Sequence, residues 1–235
     1  MRERGLLGIL TTLSLAALVL PAGAAGAAVI IPVMNPSFES PDVVDGFVET
    51  DSADIPGWTV ESGVGGVLDP TVGNGAGDMF SPGVIPNGDD QQVAFASAGT
   101  LTQLTGSTFT LVGGRYVLAV DVGNRKDADF SGEGGKIALF ANSSSNLVAQ
   151  NTYGNDFVAN DSFETLTLTV NAADLGAFVG DTIGILLFGS NGAGVRQSAF
   201  DNVSLALVPL PGALPLLLSA LAALGYFSWR QRKNA

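Results

Sequence analysis

Residues 163–170, Phe163-Glu-Thr-Leu-Thr-Leu-Thr-Val170, set Phe, Leu, Leu and Val among Glu and Thr with a period near two after one shift. Successive side chains of an extended chain point to opposite sides, so this period marks a strand with one buried face. Residues 200–207 alternate in the same way from Asn202 onward. Residues 116–122, 136–141 and 182–188 are short β-rich or apolar runs. Further strands are expected at 29–33, 58–61, 92–96, 101–104 and 108–111. Gly- and Asn-rich turns separate these runs, at 112–114, 132–135, 142–146 and 189–194. Ten or so short strands with such turns predict an all-β fold, an antiparallel β-sandwich of the jelly-roll type. One helical turn is expected at 172–175, and long loops around one or two strands at 40–90.

Composition narrows the chemistry. The 235 residues include no His and no Cys. A His general base, a Ser-His-Asp triad, a thiol nucleophile, a disulfide and any His- or Cys-ligated metal are therefore excluded. Gly supplies 31 residues, about twice the usual share. There are 22 acidic and 10 basic residues, a net charge of −12. Five of the basic residues and only one acidic residue lie at the two ends, so the middle carries 21 acidic against 5 basic groups, net −16. Such a surface repels nucleic acid, which is bound through clustered Lys and Arg. It also makes a divalent cation such as calcium a suitable guest.

The ends differ from the middle. Residues 1–28 read as a signal peptide, with Arg2 and Arg4 ahead of an apolar run, then Pro21 and small residues. Cleavage is expected between Ala24 and Ala28. Residues 29–207 are expected to form one β-sandwich ectodomain. In the remaining segment, 208–235, residues 210–229 carry no charge. As a helix they would span about 30 Å, one hydrocarbon core. Arg230, Arg232 and Lys233 follow and would stay cytoplasmic.

Val208, Pro209, Leu210 and Pro211, the apolar run and the terminal basic cluster together resemble a PEP-CTERM sorting signal of the VPLP type. Gly212 stands where that pattern more often has Ala. The resemblance implies processing by an exosortase at the inner membrane. The product would be a cell-surface or extracellular protein in a bacterium that makes exopolysaccharide.

A second resemblance lies in the middle. Asn35-Pro36-Ser37-Phe38-Glu39, Gly57-Trp58-Thr59 and Phe200-Asp201-Asn202-Val203-Ser204-Leu205 occur in that order. The set resembles galactose-binding-like jelly rolls of the carbohydrate-binding-module type. It implies that the first and last strands are neighbours and that Glu39 and Asp201 approach each other. Two such carboxylates repel unless a proton or cation lies between them. The resemblance implies a structural calcium ion held by Glu39 and Asp201. The alternative is local, with Glu39 capping backbone amides and Asp201 closing an Asx turn.

Other motifs carry less. Asp121, Asp127, Asp129 and Glu133 surround Arg125-Lys126 but fail the EF-hand pattern, and read as a solvated loop. The Gly-rich stretches at 63–66 and 73–77 lack the Lys and the strand–loop–helix setting of a phosphate cradle. Tyr153, flanked by Asn151, Asn155 and Asp156, is expected on an exposed loop and is a candidate for ligand binding. Trp58 is the second candidate, with a place in the core as its alternative reading. The resulting expectation is a non-catalytic surface or matrix protein associated with exopolysaccharide. The alternatives are a carbohydrate-binding module with a defined glycan and a glycoside hydrolase using two carboxylates.

Overall fold

A computed structural model describes residues 27–43, 47–49, 55–69, 79–81, 83–86, 92–111, 113–126, 134–154, 156–189, 197–209 and 221. Ten strands follow in order: β1 Val29–Ile31, β2 Phe47–Glu49, β3 Thr59–Leu68, β4 Val93–Thr108, β5 Gly114–Asn124, β6 Gly135–Ala141, β7 Leu147–Tyr153, β8 Ser162–Asn171, β9 Thr182–Gly189 and β10 Ser198–Pro209. A short 3₁₀ helix, Ala172–Phe178, covers the helical turn expected after β8. The all-β, antiparallel class is what the chain forms.

Every pairing is antiparallel, and the main path runs β7-β6-β9-β4-β10-β5-β8. β3 adds to β4, β2 to β3, and β1 to β10. β4 pairs with β10 only through Ala94 to Ala96, then with β9 from Gly99 onward. The sheet thus splays where β4 and β10 part. At the far ends of the path the Asn151 amide on β7 donates to the Thr167 carbonyl on β8 at 2.9 Å. The sheet therefore almost closes on itself, as a barrel-like sandwich.

The core follows from the alternation. Tyr116, Leu118, Val120 and Val122 of β5 point inward with Leu166, Leu168 and Val170 of β8. They meet Ile137 and Leu139 of β6, Ile183, Ile185 and Leu187 of β9, and Phe200, Val203 and Leu205 of β10. Each fully buried side chain of this size contributes about 1.5–3 kcal/mol.

Four expectations are corrected here. Runs 92–96 and 101–104 are one strand, β4, which passes through a left-handed residue, Ala98 (φ 42°). Run 108–111 leaves the sheet after Thr108. β7, with the polar sequence LVAQNTY, was not anticipated. β10 continues through Val208 and Pro209, paired with Arg115 and Gly114, so these two residues belong to the sheet rather than to a tail. Leu210, Pro211, Arg230, Arg232 and Lys233 lie outside the described residues, as does the leader up to residue 26. Among the described residues no helix is long and apolar enough to cross a membrane.

Candidate functional site

The face of β5 and β10 turned away from the core carries a different set of residues. Ala199 sits opposite Gly123, and Asp201 opposite Asp121. Gly123 leaves room for an aromatic ring. A Cβ there would lie 2.4 Å from Phe163 Cε1 and Cζ. Phe163 in turn packs on Phe80, with centroids 4.8 Å apart and planes tilted by 34°. Phe80, Met79 and Ile85 join Leu68, Val93, Phe95 and Ala199 in an apolar cluster separate from the core. Beyond the strand ends the buried Arg125 donates from Nη1 to Gln197 Oε1 at 2.6 Å. This outer face thus runs from a carboxylate pair, across an aromatic-roofed floor of small residues, to an Arg–Gln pair.

The acidic end is built by a loop that β4 holds in place. Gln103 accepts from Met34 N at 2.8 Å and donates to Met34 O at 2.9 Å. The Trp58 indole N–H reaches Met34 O and Asn35 O at 3.1 and 3.2 Å. Gln92 accepts from Val43 N and donates to Pro41 O at 3.0 Å. Val203 N donates to Pro36 O at 2.8 Å, tying the loop to β10. The loop's Glu39, with Oε2 withdrawn from solvent, faces Asp201 closely enough to perturb it.

Asp201 is 2% exposed. Burial pushes its carboxyl up to about 8; the Asn202 amide opposes the shift, and the charges of Glu39 and Asp121 add to it. A bulge between Asp201 and Ser204, with Asn202 in the left-handed region (φ 50°), turns the Asn202 amide onto both acids. Asn202 Nδ2 donates to Asp121 Oδ2 at 3.0 Å and approaches Asp201 Oδ2 at 3.3 Å. Thr165 Oγ1 donates to Asp121 Oδ1 at 2.5 Å. The expected Glu39–Asp201 pair is therefore brought together. Asp121, read from sequence as part of a solvated loop cluster, instead sits in β5 as its third acid. Among the described residues no set of three His, Cys, Asp or Glu side chains is spaced to enclose a metal ion by itself. An ion here would need backbone or amide oxygens in addition, and the donors present are the hard oxygens that calcium takes.

The two aromatic candidates lie elsewhere. Trp58 is in the core, its ring 5.1 Å from Phe38. Tyr153, expected on an exposed loop, is buried at the end of β7, and desolvation raises its phenol far above the usual value. Its placement is possible because Gly135 faces it; a Cβ there would lie 2.3 Å from the Tyr153 hydroxyl. Arg125, Gln197, Phe80 and Phe163 were not singled out from sequence, and only cross-strand pairing gathers them.

These features define an all-β protein with a chemically graded outer face, apolar at its centre and polar at both ends. Residues 29–206 match the HpiC1-like model, described as HpiC1 cyclase, and the chain belongs to that family. Among solved structures it is similar to the Stig cyclase Fisc of Fischerella sp. TAU in complex with (3Z)-3-(1-methyl-2-pyrrolidinylidene)-3H-indole. Identity is 22%, covering 78% of this chain and 99% of that one, with a TM-score of 0.62. A cyclase from Fischerella sp. TAU in complex with 4-(1H-indol-3-yl)butan-2-one matches equally well, at 22% identity, 78% and 100% coverage and a TM-score of 0.62. An apo cyclase from Fischerella sp. shares 23% identity over 77% of this chain and 97% of that one, with a TM-score of 0.61. No curated protein sequence matches the chain.

Membership in a cyclase family overturns the expectation of a non-catalytic surface protein. It replaces the PEP-CTERM and carbohydrate-binding-module identification, the glycosidase alternative, and the exosortase and exopolysaccharide partners. The physical reason lies in the motifs. The first motif, residues 35–39, is a loop clamp and the last, 200–205, is a bulged strand; both report how a sandwich is built, not what it binds.

Proposed function

We propose that the chain is a cyclase that closes a ring in a small aromatic substrate on the outer face of β5 and β10. Membership of residues 29–206 in the HpiC1-like family carries this reading. The indole compounds bound by the Fischerella cyclases favour an indole-bearing substrate. The face suits one. Phe80 and Phe163 offer a surface on which a planar ring stacks, and such rings also stabilise positive charge that develops over them. Arg125 and Gln197 supply directed donors and an acceptor at one end. Holding a flexible substrate in one folded conformation is a large part of what a ring closure needs.

Glu39 and Asp201, with Asp121 beside them, would hold calcium in this reading. The ion would supply neutralising charge to carboxylates that otherwise repel. The jelly-roll arrangement and the placement of Glu39 beside the last strand belong to the same proposal. The leader at 1–28 and the apolar run at 210–229 support an exported chain, held transiently in the inner membrane with its carboxy-terminus in the cytoplasm and then at the cell surface or outside it, and the amino-terminal residue of the mature protein tests the first part.

The deciding experiment incubates the full chain, with calcium, with an indole bearing a tethered alkene. A product of unchanged mass and altered retention, absent from the buffer control, is expected. No conversion across a panel of such substrates would rule the proposal out.

A further inference from the structure

Within residues 27–209, the large apolar side chains that stay exposed gather at one end of the sheet. On β1, Val29 and Ile30 lie opposite Leu207 and Ala206 near the end of β10, and Ile30 is 72% exposed. Leu147 opens β7 opposite Phe140, and Leu104 lies opposite Gly184 near the start of β9. Leu111 and Val179 stand on connections that close this end, 56% and 45% exposed. The two connections are pinned together: Phe109 N donates to Asp181 O and Gly180 N to Phe109 O, each at 3.0 Å. Met34, also exposed, is bonded to Gln103, the neighbour of Leu104. The opposite end is marked by the pairs Gly135–Tyr153, Asn124–Ser162 and Gly99–Gly189. There no large apolar side chain is exposed among the described residues.

Single exposed apolar residues are ordinary on a protein surface, but a collection of them on one side marks a contact surface. The acids at this end are held by amides. Asp181 accepts from Asn142 Nδ2 at 2.8 Å, and Asp174 from Asn171 Nδ2 at 3.1 Å. Arg115, opposite Val208, is exposed and cationic. The course of the chain points to the partner. β10 leaves the sheet at this end, with Pro209 opposite Gly114. Residues 210–229 follow at once, without a charge and without a spacer. A run of that length entering a bilayer there would bring the rim of the sheet to the lipid surface.

We propose that this end of the sheet, with Ile30, Leu111 and Val179, rests on the surface of a lipid bilayer. The apolar side chains enter the interfacial layer, and Arg115 meets lipid phosphate. A strand rises about 3.3 Å per residue, so Asp121 and Gly123 of β5 stand roughly 23–30 Å from Gly114 at the rim. The outer face of β5 and β10 is thereby held clear of the lipid. The inference rests on the membrane-held reading of residues 210–229 only for what brings the domain to the bilayer.

The chain has no cysteine, so one introduced thiol places a fluorophore at a chosen point. The full chain is reconstituted in phosphatidylcholine nanodiscs at one copy per disc, so that no second copy can shield the rim. The discs carry lipids with a nitroxide at the headgroup or deep in the acyl chain. Leu111→Cys and Val179→Cys report the rim, and Leu221→Cys reports the apolar run. Ala159→Cys reports the opposite end, next to the Val158 carbonyl that accepts from Asn124 Nδ2 at 3.0 Å. The headgroup nitroxide is expected to quench the rim labels at least threefold more strongly than the Ala159→Cys label. Adding Ile30→Asp and Leu111→Asp to the Val179→Cys chain is expected to remove that excess, with β-sheet circular dichroism unchanged. Equal quenching at the two ends, or an excess that survives both Asp substitutions, would overturn the proposal. Leu221→Cys is read separately with the deep nitroxide. Its quenching alongside equal signals at the two ends leaves the membrane-held reading standing and removes this inference. An excess at the rim without quenching at Leu221→Cys does the reverse.

Discussion

The two faces of β5 and β10 follow opposite rules although they alternate residue by residue. Inward, Leu118, Val120, Val122, Phe200 and Leu205 are apolar, fully buried and packed on three other strands. Outward, Asp121, Gly123, Ala199 and Asp201 combine charge with minimal size. The inner face gains stability from area removed from water. The outer face gives some of it back, because the Asp201 carboxyl beside Glu39 is held where burial disfavours its charge. Stability is concentrated on one side of the sheet, and the proposed chemistry lies on the other. Folds that place reactive groups in strained or costly settings show this division often.

Four substitutions break or sharpen the contrast. The largest effect is expected from Phe200→Ala on the inner face: about 3–5 kcal/mol lost, from transfer and cavity terms together. The urea midpoint should fall with an unchanged slope. A loss below about 1 kcal/mol would mean that the core does not depend on this ring.

Next comes Asp201. Its folded value of about 8 lies above the unfolded carboxylate value near 4. The folded state therefore holds the proton more tightly. The stabilisation is complete below pH 4 and is lost as pH rises towards 8. After chelation, the free energy of unfolding should drop across that window, by an amount on the order of a few kcal/mol, and the melting temperature with it. Asp201→Asn should flatten the profile, and calcium should flatten it in the parent. A parent profile that is flat without calcium would contradict the burial of this acid.

Gly123→Ala tests the middle of the outer face. The new methyl meets the Phe163 ring, which must move away, at about 1–3 kcal/mol. Indole binding should weaken more than stability does. The reverse order would move the site elsewhere. The smallest effect belongs to the seam. Asn151→Ala removes the bond to Thr167 O and should cost about 1 kcal/mol or less. Faster amide exchange confined to β7 and β8 is the expected reading.

Legibility followed burial. β5, β8 and β10 carry apolar residues near period two because each packs one face on the core, and β9 is an unbroken apolar run buried on both faces; all four were read from sequence. β7 was missed because LVAQNTY is polar and shows no clear apolar alternation; its order comes from pairing with β6. β4 read as two strands because residues 97–100 look like a break, whereas the chain passes through them with Ala98 left-handed. Glu39 and Asp201 were paired through a resemblance of short motifs. Asp121 was not, since its neighbours in sequence are a charged loop and its neighbour in space is 80 residues away. Tyr153 was misplaced because its flanks are polar, while the glycine that admits it lies on another strand.

By itself the sequence determined the strand class, through period-two alternation, and closed off His and Cys chemistry by lacking both residues. Only the tertiary structure decided which acids meet, which ring roofs which glycine and where Arg125 finds Gln197. The reason is that strand periodicity is local, whereas register between β5 and β10 is set by contacts across the chain.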